Sequence, residues 1–180
     1  MLANDSDAKA MSLLIIAPLD AARADLARIE TLRRRHDPQA AIIPAHVTLV
    51  FPFETDDLPT IAQHISHVVA SHGPIALRLS AYLAVRAHDN TQSHIFLVPD
   101  QGRAEIEALH DALYTGPLAG ALRHDIPFIP HVTVGARRFH DEAEDLVREF
   151  GQIGIAAQLT RLELAEFDGR TIKLLEVFDL

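Results

Sequence analysis

His46-Val47-Thr48 and His131-Val132-Thr133 repeat one tripeptide within a chain of 180 residues. Both lie in apolar runs that read as strands. Residues i and i+2 of a strand share a face, so His46 and Thr48 point one way and Val47 and Leu49 the other. The same alternation sets His131 and Thr133 against Val132 and Val134. The apolar sets can bury under helices, whereas the polar sets need water or a ligand. A single His-x-Thr is commonplace on a solvated strand; two at matching places of a duplicated architecture carry information. Two imidazoles facing each other suit in-line displacement at phosphorus, which needs a proton removed on one side and donated on the other. An unperturbed pKa near 6.5 lets one ring be neutral while the other is charged. The threonine hydroxyls can donate to the non-bridging phosphoryl oxygens. This chemistry requires no metal or other cofactor, and no carboxylate cage is evident.

The elements that must position these residues also come in two sets. Ser12–Ala17 is a short buried strand, Asp20 an expected N-cap for a helix ending at Asp37-Pro38, and Ile42–Phe53 the strand bearing the first motif. Asp57 caps a second helix, stopped by Gly73-Pro74, and residues 75–86 alternate as a long half-buried strand. The plan then repeats: a strand over Ser93–Pro99, a helix near Gly102–Tyr114, a strand over Phe128–Ala136 and a helix capped by Asp141. A long strand over Ile153–Phe167 follows, turning at Asp168-Gly169 into a last strand over Thr171–Phe178. The two halves align at an offset of about 80–85 residues, too long for a solenoid repeat. Ser12–Pro18 parallels Ser93–Pro99, and Pro44-Ala-His-Val-Thr48 parallels Ile129-Pro-His-Val-Thr133. An α+β protein is expected, with two related lobes facing each other across a groove. It forms a single bilobal domain over residues 12–180 (halves about 12–87 and 93–180), with a disordered tail over residues 1–11.

Composition narrows the partners. The net charge is −9, from 16 Lys and Arg against 25 Asp and Glu. Proteins that coat long nucleic acid are usually basic, so an extended nucleic-acid surface is disfavoured while a small phosphorylated ligand in a local pocket is not. The absence of cysteine excludes disulfides and thiolate chemistry and suits a reducing cytosol. No apolar run approaches the ~20 residues of a membrane span, so no membrane partner and a cytoplasmic location are expected.

The paired tripeptides resemble the two-histidine (2H) phosphoesterase superfamily. Pro44-Ala-His-Val-Thr-Leu-Val-Phe-Pro-Phe53 is especially similar to its 2′-5′ RNA ligase branch. The resemblance implies two pseudo-symmetric lobes with mainly antiparallel sheets around a central cleft, helices on the outer faces. It implies metal-independent hydrolysis of 2′,3′-cyclic phosphate ends of RNA or small nucleotides. His131 would be the base that activates water, and His46 the acid that protonates the leaving O3′. Thr48 and Thr133 would hold the phosphate. RNA 2′-5′ ligation, or opening of that linkage, is the same chemistry in another direction. A rival of another class is a non-catalytic binder of phosphorylated nucleotide ends.

Ligase-type members often carry an arginine five residues after the second histidine, where this chain has Ala136. With a regular strand, Arg137 shares the face of His131 and Thr133, so Arg137 and Arg138 are candidate substrate contacts. Phe51 and Phe53 alternate onto the core side, but a bulge at Pro52 would turn Phe53 toward a nucleobase. Arg33–Arg35 reads as a solvated helix end able to steer phosphate. His64 and His67 read as a solvated helix face, and His110-Asp111 and His124-Asp125 as surface pairs.

Overall fold

A computed structural model describes residues 12–180; the tail expected over residues 1–11 lies outside them. The first half contains β1 (Ser12–Pro18), the two-residue β2 (Asp20–Ala21), α1 (Arg23–His36), β3 (His46–Glu54), α2 (Leu58–Val69) and β4 (Ile75–Arg86). The second half contains β5 (Ser93–Gln101), α3 (Arg103–Leu113), a 3-10 turn (Gly116–Ala121), β6 (Val132–Arg137), α4 (His140–Phe150), β7 (Ile155–Leu159), β8 (Arg161–Phe167) and β9 (Ile172–Asp179).

Two sheets result, ordered β3-β1-β8-β9 and β2-β7-β4-β5-β6, and every pairing is antiparallel. Neither sheet belongs to one half of the chain. The first two long strands of each half pair together, β1 with β3 and β5 with β6. The third strand crosses over: β4 pairs with β5, and β8 with β1. The single strand expected over Ile153–Phe167 is therefore two, broken at Thr160, where the chain passes from the five-stranded to the four-stranded sheet. The buried positions change phase there, from Ile155, Ala157 and Leu159 to Leu162 and Leu164. A bulge within one strand gives the same one-residue shift, so periodicity alone could not tell the two apart. The Thr160 carbonyl accepts from the Leu180 amide instead of a ladder partner.

α1 and α4 pack on the five-stranded sheet, α2 on the four-stranded one, and α3 contacts both. The core between helices and sheets gathers Leu13, Ile15, Val47, Leu49, Ile95 and Leu97, among others. A smaller cluster of Leu14, Ile16, Ile43 and Ala165 covers the opposite face of the four-stranded sheet. That face belongs to the cleft.

Local signals hold in part. Asp57 accepts from the Thr60 amide at 3.1 Å, as a cap should. Asp20 instead joins β2, and α1 starts after Ala22 with no side-chain cap. Asp141, the expected cap, lies instead in the first turn of α4, two residues past the N-cap Phe139. Gly102 turns the chain from β5 into α3 at φ +81°, where a Cβ would collide with the Ala76 carbonyl oxygen. Only glycine fits that corner.

Candidate active site

β3 and β6 are each the outer strand of a sheet, and the two edges touch. His46 opens β3, and His131 immediately precedes β6. Both motif strands start later than the hydrophobic run suggests. Residues 42–45 and 128–130 carry apolar side chains but approach in irregular backbone.

Both rings are set the same way. The His46 Nδ1 lies 2.8 Å from the Pro44 carbonyl and the His131 Nδ1 2.5 Å from the Ile129 carbonyl, two residues back in each case. A carbonyl only accepts, so each Nδ1 must carry the proton, leaving Nε2 as the open nitrogen. Thr48 lines a cavity of about 160 Å³ together with His46. Thr133 is paired across the strands with Phe96.

Burial is the main cause holding both imidazoles below 6.5. His131 falls to about 4; the Ile129 carbonyl opposes the fall, and the nearby His46 and His94 add to it. For His46, burial is opposed first by the Pro44 carbonyl; Arg33 deepens the fall, while Asp37 and Glu163 resist it. A charge on His46 thus disfavours one on His131, as expected of two rings sharing a cleft.

Residues beyond the motifs complete the environment. The Phe96 ring stacks on His131 with centroids 3.4 Å apart, and His94 lies near Phe96 in turn at 6.0 Å. His94 and Phe96 are intermediate in exposure amid the buried Ser93, Ile95 and Leu97, an alternation that could have flagged them. α3 supplies two further contacts. β3 loses register against β1 around Leu49 and again near Phe51, which frees backbone groups from the ladder. His110 donates from Nδ1 to the Leu49 carbonyl at 2.8 Å, and the Tyr114 hydroxyl accepts from the Phe51 amide at 2.9 Å. The His110 ring also stacks on Phe128 at 3.6 Å. His110 therefore touches both motif-bearing segments. It is 4% exposed, not the surface residue its Asp111 neighbour suggests.

The β3 slips also sort the phenylalanines. Phe53 is 8% exposed within the core, so it does not face the cleft. Phe51 lines the cavity beside Thr48, with Pro52, Phe167 and Ile172. A bulge is the expected device, but it turns Phe51 out, not Phe53.

A matching slip re-aims the arginines. β6 loses register against β5 between Ile95 and Phe96, which sets Ala136 opposite His94 and Arg137 opposite the buried Ser93. Ala136 thus shares the face of Thr133, and Arg137 lies on the helix side, 2.6 Å from the His36 Nδ1 of α1. Arg138 is exposed past the end of β6, over the Phe139 ring. The regular strand that would bring Arg137 to the cleft is not formed. Arg33 is also displaced from its expected role: it is 1% exposed and ion-paired to Glu30 and Asp37. His64 bonds the Leu113 carbonyl at 2.9 Å instead of facing solvent. Among the described residues no three His, Asp or Glu side chains gather as a metal site would require, and no helix is long and apolar enough to cross a membrane.

Known proteins share this architecture. The solved structure of Escherichia coli LigT complexed with 3′-AMP superposes with a TM-score of 0.58 at 17% identity, covering 96% of this chain and 99% of that one. TT0787 of Thermus thermophilus gives 0.58 at 20% identity over 94% and 98%. Usb1 of Kluyveromyces marxianus gives 0.56 at 11% over 94% and 98%. A Bacillus pumilus protein named as a phosphoesterase is 32% identical over 117 residues, covering 64% of this chain and 65% of that one. A Geobacillus kaustophilus protein similarly named is 30% identical over 105 residues, 57% of each. The matched segment spans under two thirds of the length of these curated relatives. The family profile described as the 2′-5′ RNA ligase superfamily matches residues 18–171. With both His-x-Thr motifs inside that match, the chain belongs to the 2′-5′ RNA ligase superfamily of 2H phosphoesterases.

Proposed function

We propose that the protein hydrolyses 2′,3′-cyclic phosphates of RNA ends or small nucleotides without a metal. The observation that carries this reading is the paired imidazole geometry. Two rings on adjoining sheet edges each have Nδ1 bonded to their own backbone and Nε2 open. In this mechanism His131, held neutral by burial, takes a proton from water through Nε2 as the water oxygen attacks phosphorus. The P–O3′ bond breaks in line, and His46 gives the Nε2 proton to O3′. The product is a 2′-phosphate. Thr48 and Thr133 donate to the non-bridging oxygens as charge builds there. Binding an anion between the rings raises both pKa values, which lets His46 hold its proton near neutrality.

The cavity lined by Phe51, Phe167, Ile172 and Leu14 beside His46 and Thr48 supports a nucleoside as the group attached to the phosphate, since an aromatic wall stacks any base. LigT has been solved with 3′-AMP, NADP+ and ATP, which is consistent with a nucleotide ligand here. The net charge of −9 favours small nucleotides and RNA ends over long RNA.

The test is turnover of 2′,3′-cyclic nucleotides in EDTA. The wild-type chain is expected to release the 2′-phosphate, and His46→Ala and His131→Ala each to lose roughly 10²- to 10⁴-fold in kcat. Wild-type turnover in either variant refutes the mechanism. Ligand binding with no product over hours favours the non-catalytic binder. Joining of RNA ends through a 2′-5′ linkage without cyclic-phosphate hydrolysis favours the ligase direction.

A further inference from the structure

α1 carries a charged cluster that composition alone makes look like a solvated helix end. Arg33 is 1% exposed and Asp37 8%. The Arg33 guanidinium meets Asp37 Oδ2 at 3.0 Å and Glu30 Oε1 at 3.1 Å. Burying such a group is costly, and hydrophobic replacements are often as stable, so its position invites a reason. Both carboxylates reach the loop that carries the chain from α1 to β3. Asp37 Oδ1 accepts from the Gln39 amide at 2.9 Å, at the loop's start. Glu30 Oε1 accepts from the Ala45 amide at 2.7 Å, at its end. The Ala45 carbonyl is taken by the Leu19 amide at 3.0 Å. Ala45 lies between Pro44, whose carbonyl holds the His46 ring, and His46 itself.

We propose that Glu30, locked by Arg33 and Asp37, is a positioning residue for His46: it fixes the Ala45 backbone, so that the Pro44 carbonyl holds the imidazole with Nε2 open to the cleft. The second half of the chain has no counterpart. Pro130 stands where Ala45 does, and proline has no amide to hold. His131 relies on its Phe96 stack instead. Beyond the carbonyl bond that both rings share, they are therefore supported by different means, as suits two different roles. The proposal rests on His46 acting as the acid, and its test is chosen to separate the two readings.

Three variants decide it: Glu30→Gln keeps an oxygen for the Ala45 amide, Glu30→Asp keeps the charge beside Arg33 but withdraws the acceptor, and Glu30→Ala removes both. Two readouts apply: kcat and KM on a 2′,3′-cyclic nucleotide in EDTA, and imidazole ¹⁵N NMR of the His46 tautomer. Glu30→Asp and Glu30→Ala are expected to lower kcat by about ten- to hundredfold, with KM nearly unchanged and the His46 signals moving to mixed tautomers. Glu30→Gln is expected to stay within a few-fold of wild type and to keep the Nδ1–H tautomer. Glu30→Asp carries the decision if Glu30→Ala does not fold. Wild-type kcat and an unchanged His46 spectrum in Glu30→Asp overturn the proposal, as does a loss in Glu30→Gln equal to that in Glu30→Ala. If the wild-type chain turns over no cyclic nucleotide, the functional reading fails, and the tautomer readout still decides the positioning.

Discussion

His131 is the residue on which pH acts most directly. Its pKa in the folded protein lies near 4, below the unperturbed 6.5, because burial disfavours the charged ring. Lowering pH through 4 protonates Nε2 and removes the base, so kcat/KM should have an acidic limb near that value. The basic limb follows loss of the His46 proton. Because an anion raises both values, the kcat profile should lie at higher pH than the kcat/KM profile; coincident profiles argue against a phosphate held between the rings. The arginines give a second contrast at this scale. Arg137→Ala should leave KM for a cyclic nucleotide within about twofold, since it faces His36 on the helix side and exposed or distant pairs contribute little. Ala136→Arg should lower KM, since position 136 lies on the face of Thr133. Steady-state kinetics on both variants decides the point. The His-x-Thr pairs were legible in the bare sequence because i, i+2 alternation survives over three residues. The arginine and phenylalanine faces were not, because one inserted residue reverses every side chain beyond it.

At the scale of elements, α3 is what permits the slips in β3. Its His110, and Tyr114 one turn on at its end, satisfy the Leu49 carbonyl and the Phe51 amide. Tyr114→Phe leaves that amide unpaired beneath the helix and should destabilise the fold by roughly 1–3 kcal/mol in urea unfolding. It should also raise KM for nucleotides, since Phe51 lines the cavity; an unchanged KM shows that the slip forms without the tyrosine. A helix over Gly102–Tyr114 was readable from the spacing of Ile106, Leu109 and Leu113. That His110 belongs to its buried side was also implied by that spacing, yet its polar neighbour pointed the other way. Helix ends were read less well. Asp57 is a cap with a proline behind it, whereas Asp20 was drawn into a two-residue strand that pairs with β7 over a hundred residues later. Local propensity carries no record of so distant a partner.

Across the whole molecule, acid should act on stability as well as on rate. His36, His46, His94, His110 and His131 all have folded pKa values below 6.5, chiefly through burial. Below 6.5 the unfolded chain binds more protons than the folded one. Stability is therefore fully present above 6.5 and falls with decreasing pH, down to about 4 for His131. Thermal melting followed between about pH 7 and pH 4 should show this decline. Inorganic phosphate should lessen it, because an anion in the cleft favours charged rings there. The duplicated order of elements was visible in the spacing of the motifs and turns. The crossing of the third strand was not, because a strand's composition does not name the neighbour it will join.

That crossing bears on how the protein comes into being. One wall of the cleft is laid down by β1 and β3 early in synthesis, yet it is sealed only when β8 and β9 leave the ribosome. A chain cut at the loop between β4 and β5 should yield two pieces that are insoluble apart. Made together, they should recombine into one particle, because each holds the strand its fellow lacks. In the front half alone, β1 lacks β8 and β4 lacks both of its neighbours.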